Sequence, residues 1–241
     1  MLEFVEKIFH KVHQLSELNL NESDKLLIHK IREDKLTYLT ERKLFSIAST
    51  CRQIEAKGLP GQFIEAGCAL GGSSILISSV KSCSRTMNIY DVFGMIPAPT
   101  QEDTKDVHER YKIISGGQAM GIQGDKYYGY EENLYDIVKN NLERFDIDCE
   151  QNNIRLIKGL VQDTLSLQDD VAFAHVDVDW YEPVTTCLER IFPRLVSGGS
   201  IILDDYHDWG GCKKATDKYL TKVSGQFHLN SSAGSLKITK K

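Results

Sequence analysis

The sequence carries no surplus of basic residues, no lysine- or arginine-rich run and no aromatic motif of the RNA-reading kind. Its 29 basic and 34 acidic residues leave a formal charge of -5. Proteins that grip a phosphate backbone show a basic face, so nucleic acid is not an expected partner. None of the six cysteines (Cys51, Cys68, Cys83, Cys149, Cys187 and Cys212) stands in a C-x-x-C pair. That argues against a zinc site or a disulfide framework and for reduced, structural thiols in a cytoplasmic protein. No apolar run is long enough to span a bilayer, so no membrane partner is expected. Residues 1–18 do not resemble a signal peptide, because Glu3, Glu6, Lys7 and Lys11 interrupt their apolar positions. The 241 residues show no internal repeat and no low-complexity segment.

With 41% hydrophobic and 26% charged residues, the chain can bury one sizeable core. Leu2, Val5, Ile8, Phe9, Val12 and Leu15 recur at helical spacing and predict an amphipathic helix over 2–18. Asn21-Glu22-Ser23-Asp24 reads as a cap for a helix over 25–32. Thr40 opens another through Leu44, Ile47, Ala48, Cys51 and Ile54, which stops at Gly58 and Pro60. These helices form an expected N-terminal extension, 1–58, ahead of a main domain, 59–241. From residue 62 to 223 strand and helix alternate, which predicts a parallel sheet with helices on both faces. Residues 94–130 show no clear period and read as an irregular lid.

Ligands of such a sheet bind beyond the carboxyl ends of its strands. Four ends attract attention. The first is Glu65-Ala66-Gly67 with Gly71-Gly72, a glycine turn that lets a ligand approach the backbone. It is not a P-loop, since no Gly-Lys-Ser/Thr follows, and it does not fit the dinucleotide pattern G-x-G-x-x-G. The second is Asp91, a carboxylate at the next strand end that can accept both hydroxyls of a ribose. The third is Gly159 to Asp163, where Gln162 offers an amide to a base edge. The fourth is a pair of acidic clusters, Asp177-Val178-Asp179-Trp180-Tyr181-Glu182 and Asp204-Asp205-Tyr206-His207-Asp208. Gathering that much negative charge calls for a hard divalent cation.

From about Thr37 to Tyr219 these pieces, in this order and spacing, resemble the metal-dependent O-methyltransferases related to macrocin O-methyltransferase. The residues that carry the resemblance are 58–67, Gly71-Gly72, Asp91-Val92-Phe93, Gly159 with Asp163-Thr164-Leu165, 177–182 and Gly198-Gly199 to Tyr206. The resemblance implies a class I, Rossmann-like methyltransferase sheet of seven strands. It implies S-adenosylmethionine as donor, with Glu65, Gly67, Gly71 and Ser73 at its methionine end, Asp91 on the ribose, Gln162 at the adenine, and Gly159 and Asp177 also against it. It implies Mg2+ held by Asp177, Asp204 and Asp205, with Asp179 as general base and His207 as its rival. His108 is a weaker candidate, and His175, two positions before Asp177, is expected to be structural. The acceptor implied is a hydroxyl of a small molecule, a sugar in the family. A catechol-type acceptor and a non-catalytic nucleoside-binding domain are the alternatives. A homodimer or higher homo-oligomer is also expected. Val178, Trp180 and Pro183 depart from the family pattern, as do Ala69-Leu70, and leave the identity of the acceptor open.

Overall fold

The computed structural model describes residues 20–241; the helix expected over 2–18 lies outside them. The described chain opens with α1 (Glu22–Glu33), capped by Asn21, whose side chain accepts from the Asp24 amide at 2.8 Å. α2 (Glu41–Ala56) follows, capped by Thr40. The buried Asp24 takes a two-pronged grip from Arg52, at 2.7 and 3.2 Å, which locks the two helices together. Ile28, Ile31, Leu44 and Ile47 join Phe63, Ile75 and Phe173 in one hydrophobic core. α1 and α2 therefore share the core that packs on the sheet.

Alternating elements then build the sheet: β1 (Gln62–Ala66), α3 (Gly72–Val80), β2 (Met87–Asp91), α4 (Lys105–Ser115), α5 (Leu134–Arg144), β3 (Ile154–Lys158) and α6 (Val161–Thr164). They continue as β4 (Val171–Val176), α7 (Tyr181–Arg194), β5 (Leu195–Leu203), α8 (Gly210–Lys222), β6 (Phe227–Asn230) and β7 (Leu236–Lys240). The spatial order is β3-β2-β1-β4-β5-β7-β6. Neighbours from β3 to β5 run parallel, and β7 runs antiparallel to both β5 and β6. β1 and β4 are buried along their whole length, as central parallel strands covered on both faces must be. Phe63 and Phe173 meet edge to face across them, 5.4 Å between centroids.

Register decides what reaches the carboxyl edge. Ala66 lies opposite Tyr90 on one side and Val176 on the other, and Val176 opposite Leu203. Gly67, Asp91, Asp177 and Asp204 therefore leave the sheet at one level. The chain order reverses between β1 and β4, the switch point at which open sheets bind ligands.

The segment 94–130 is more regular than expected. It holds α4 and two short 3-10 turns, Ile122–Gly124 and Tyr128–Tyr130. α4 buries only Val107 and Ile114, two turns apart, so its apolar stripe is too sparse to declare a helix by period. The segment is pinned over the strand ends by Trp180, whose indole donates to the Pro97 carbonyl at 2.9 Å, and by Asp103, which accepts from the Tyr181 amide at 2.7 Å. All six cysteines are free. Among the described residues no helix is long and apolar enough to cross a membrane.

Candidate active site

Over the switch point lies a cavity of about 370 Å³. Gly67, Asp91, Gly159, Gln162, Asp177, Asp179, Asp204 and Asp205 all line it, beside Lys43, Arg110, Tyr38, Tyr127, Tyr128, Trp180 and Trp209. Its rim joins five strand ends, α2 and the segment that carries α4.

Gly67 is required by both conformation and space. Its φ is +82°, and a Cβ there would run into the Asp177 carbonyl oxygen. Asp91 braces the same turn: one carboxylate oxygen accepts from the Cys68 amide at 2.8 Å, the other from Phe93 at 2.6 Å. Burial pushes the Asp91 carboxyl above its ordinary range, and the backbone amides of Cys68 and Phe93 counter it. The Gln162 side-chain oxygen is buried with no hydrogen-bond partner among the described residues. An orphaned acceptor in a cavity wall suits a ligand that donates, such as the amino group of a purine.

Four expected residues do not line the cavity. Glu65 is fully buried behind the turn, held by the Ser74 hydroxyl and by His175 Nδ1, the latter at 3.0 Å. Burial disfavours the imidazolium of His175, but the hydrogen bond and charge of Glu65 outweigh it, and the His175 pKa is raised. Ser73 is buried at the start of α3, and Gly71, at φ +87°, is the N-cap of that helix. His207 is exposed, its ring against Tyr206.

The aspartates form two overlapping groups. Ligand oxygens of Asp177, Asp179 and Asp205 lie within 4.8 Å of one another, as do those of Asp204, Asp205 and Asp208. Asp205 belongs to both. An all-carboxylate set suits a hard, oxygen-seeking cation and offers no nitrogen or sulfur ligand. Burial and then the Asp204 charge push Asp177 up to about 8 and Asp179 up to about 7. Arg110 and a hydrogen bond from Trp209 pull Asp179 back. Burial, then the charges of Asp179, Asp177 and Asp204, raise Asp205 as well, and Asp205 and Asp177 are hydrogen-bonded to each other. Asp179 itself sits at φ +55°, as Ala69 does at +47° and Phe93 at +48°. Left-handed non-glycine residues at three strand ends are strained positions of the kind that collect at functional sites.

Sequence reasoning missed Lys43, Arg110, Tyr38 and Trp209. Lys43 comes from α2 and sets its ammonium between Asp204 and Asp208, 2.9 Å from an oxygen of each. Arg110 arrives on α4, and Tyr38 precedes α2. Nothing in the linear pattern marked any of the four.

These shifts fix a sign for the metal-free protein. Acids with raised folded pKa values bind more protons folded than unfolded, so stability falls as pH rises through the window. The raised His175 acts in the same direction. With chelator present, the melting temperature is expected to fall from about pH 5 to about pH 8, and added Mg2+ is expected to restore it most at the alkaline end. A chelated melting temperature that rises over that window contradicts the raised pKa values of the cluster.

A seven-stranded sheet in this order, one strand reversed, with a glycine turn after β1 and an acid ending β2, defines the class I methyltransferase fold. The chain belongs to the macrocin O-methyltransferase family, which it matches over residues 32–226; it is an O-methyltransferase family enzyme. It is similar to the demethyldecarbamoylnovobiocin O-methyltransferase of Streptomyces niveus, 27% identical over 77% of this chain and 68% of that protein. It is also 27% identical to the 8-demethyl-8-(2,3-dimethoxy-alpha-L-rhamnosyl)-tetracenomycin-C 4'-O-methyltransferase of Streptomyces olivaceus, over 74% of this chain and 65% of that one. The mycinamicin III 3''-O-methyltransferase of Micromonospora griseorubida is 24% identical over 67% of this chain and 61% of its own length. The chain thus spans about two thirds of the length of these relatives. Among solved structures, the O-methyltransferase NovP superposes with a TM-score of 0.69 at 24% identity, over 86% of this chain and 82% of that one. The calicheamicin methyltransferase CalS11 superposes at 0.60 and 16% identity, over 92% and 94%.

Proposed function

We propose that the protein is an Mg2+-dependent enzyme that transfers the methyl group of S-adenosylmethionine to a sugar hydroxyl of a glycosylated small molecule. The observation that carries this reading is the convergence of two half-sites on one cavity. Gly67, Asp91 and Gln162 form a nucleoside-type cradle, and the aspartates after β4 and β5 form a cation site beside it. The sugar is supported by the family and by the relative whose name carries a rhamnosyl group.

In this reading Asp91 accepts the ribose hydroxyls, Gln162 accepts from the adenine amino group, and Gly67 and Gly159 let the donor lie against backbone. Glu65, Gly71 and Ser73 act from behind, holding the turn and the start of α3. Asp177, Asp204 and Asp205 hold the Mg2+, which when bound supplies a positive charge that lowers the pKa of an acceptor hydroxyl. Asp179 takes the proton from that hydroxyl as its oxygen forms the bond to the methyl carbon and the carbon–sulfur bond breaks, its electron pair returning to sulfur in S-adenosylhomocysteine. Methyl transfer from a sulfonium is an in-line displacement, so the residues contribute chiefly by alignment and by excluding water. Tyr38, Tyr127, Tyr128 and Trp209 offer aromatic faces on which a sugar ring can lie.

The donor half is tested by calorimetric titration with S-adenosylhomocysteine, with and without Mg2+. Binding is expected in both cases, and its absence removes the methyltransfer reading. Gln162→Ala is expected to weaken that binding about tenfold, the loss of one buried hydrogen bond, while leaving Mg2+ binding unchanged. Unaltered donor affinity in the variant takes Gln162 away from the adenine.

A further inference from the structure

Lys43 is placed against ordinary preference. It sits in the first turn of α2, three residues after the Thr40 cap, where the helix dipole disfavours a cation. Its side chain is only 12% exposed, and lysine is almost never buried without a partner. Its ammonium donates to Asp204 Oδ2 at 2.9 Å, to Asp208 Oδ2 at 2.9 Å and to the Asp204 carbonyl at 3.3 Å. All three donors are spent. The second oxygen of Asp204 accepts from the Ser235 hydroxyl at 2.9 Å. Both oxygens of Asp204 are thus held by protein donors. Asp208, by contrast, is half exposed and can follow a moving lysine.

We propose that Lys43 is the resident counter-ion of the aspartate cluster, and that a divalent cation gains Asp204 only by displacing the Lys43 ammonium toward Asp208. The inference rests on the metal reading above and adds that Lys43 sets the affinity of the site. An ammonium that stayed within hydrogen-bond distance of a ligating oxygen would stand within a few ångströms of the metal. Two cations at such range in a half-buried site repel strongly. The metal must therefore either evict Lys43 or do without Asp204, and both weaken its binding. The arrangement also holds the shape of the cluster: one fixed positive charge stabilises carboxylates that would otherwise repel one another. Lys43 is thus a positioning residue that acts on Asp204.

The test is titration of Mg2+ alone, and of Mn2+ alone, into the full chain by calorimetry, with neither donor nor acceptor present. Lys43→Met and Lys43→Gln are expected to bind the metal about tenfold more tightly than the natural protein. Lys43→Arg, which keeps the charge, is expected to stay within about threefold of it. In chelator the two neutral variants are expected to melt lower than the natural protein, and Mg2+ is expected to raise their melting temperature by more. Gln keeps a donor for Asp204, so it reads the effect of charge even where Met fails to fold. If the natural protein binds Mg2+ and the neutral variants bind it no more tightly, the metal reading stands and the role of Lys43 is overturned. If neither the natural protein nor the variants bind Mg2+ or Mn2+, the metal reading falls and takes this inference with it.

Discussion

Asp179→Asn is expected to slow methyl transfer by about 10²- to 10⁴-fold, the range a positioned general base contributes, while donor and Mg2+ affinities stay within a few-fold. Asn is the informative replacement. It has nearly the shape of Asp and tolerates the left-handed backbone that Asp179 adopts at φ +55°. The backbone amide of residue 179 keeps its bond to Asp205 Oδ2, 3.3 Å away. What the variant loses is the ability to take a proton. The exposed His207, outside the cavity lining, offers no comparable approach to a bound hydroxyl. Single-turnover rates at saturating donor and acceptor, beside calorimetric binding of each ligand, make the comparison. An unchanged single-turnover rate removes Asp179 from proton transfer.

Asp205→Asn is expected to weaken Mg2+ binding by about 100-fold and to reduce turnover to background, with S-adenosylhomocysteine affinity retained. Asp205 is the member shared by both carboxylate groups and is hydrogen-bonded to Asp177. Its loss therefore breaks the cation site whichever group a metal prefers. The neutral amide also removes one of several mutually repelling acids, so the chelated protein is not expected to melt lower above neutral pH. Full Mg2+-dependent activity in this variant would remove the metal role from the cluster.

Much of this was legible in the chain. The alternation of strand and helix and the caps at Asn21 and Thr40 are local signals, and local signals survive into the fold. The acids at the ends of β4 and β5 were readable because a parallel sheet delivers consecutive strand ends to one edge. Illegible parts arise from packing between distant segments. Lys43 is separated from Asp204 by 161 positions, and only the docking of α2 on the sheet brings them together. Glu65 looked like a ligand residue because it borders the glycine turn. Its pairing with His175, set by the β1–β4 register, faces it into the interior instead. α4 escaped notice because a helix that buries two side chains and leaves most of the others in solvent has no strong period.

The most direct measurement incubates the protein with S-adenosylmethionine and a panel of glycosylated and catechol acceptors, in Mg2+ or in chelator, and locates any added methyl by fragmentation mass spectrometry. A methyl group on a sugar oxygen, formed in Mg2+ and absent in chelator, is the expected result. Transfer that ignores the chelator, or that falls only on a catechol oxygen, contradicts it.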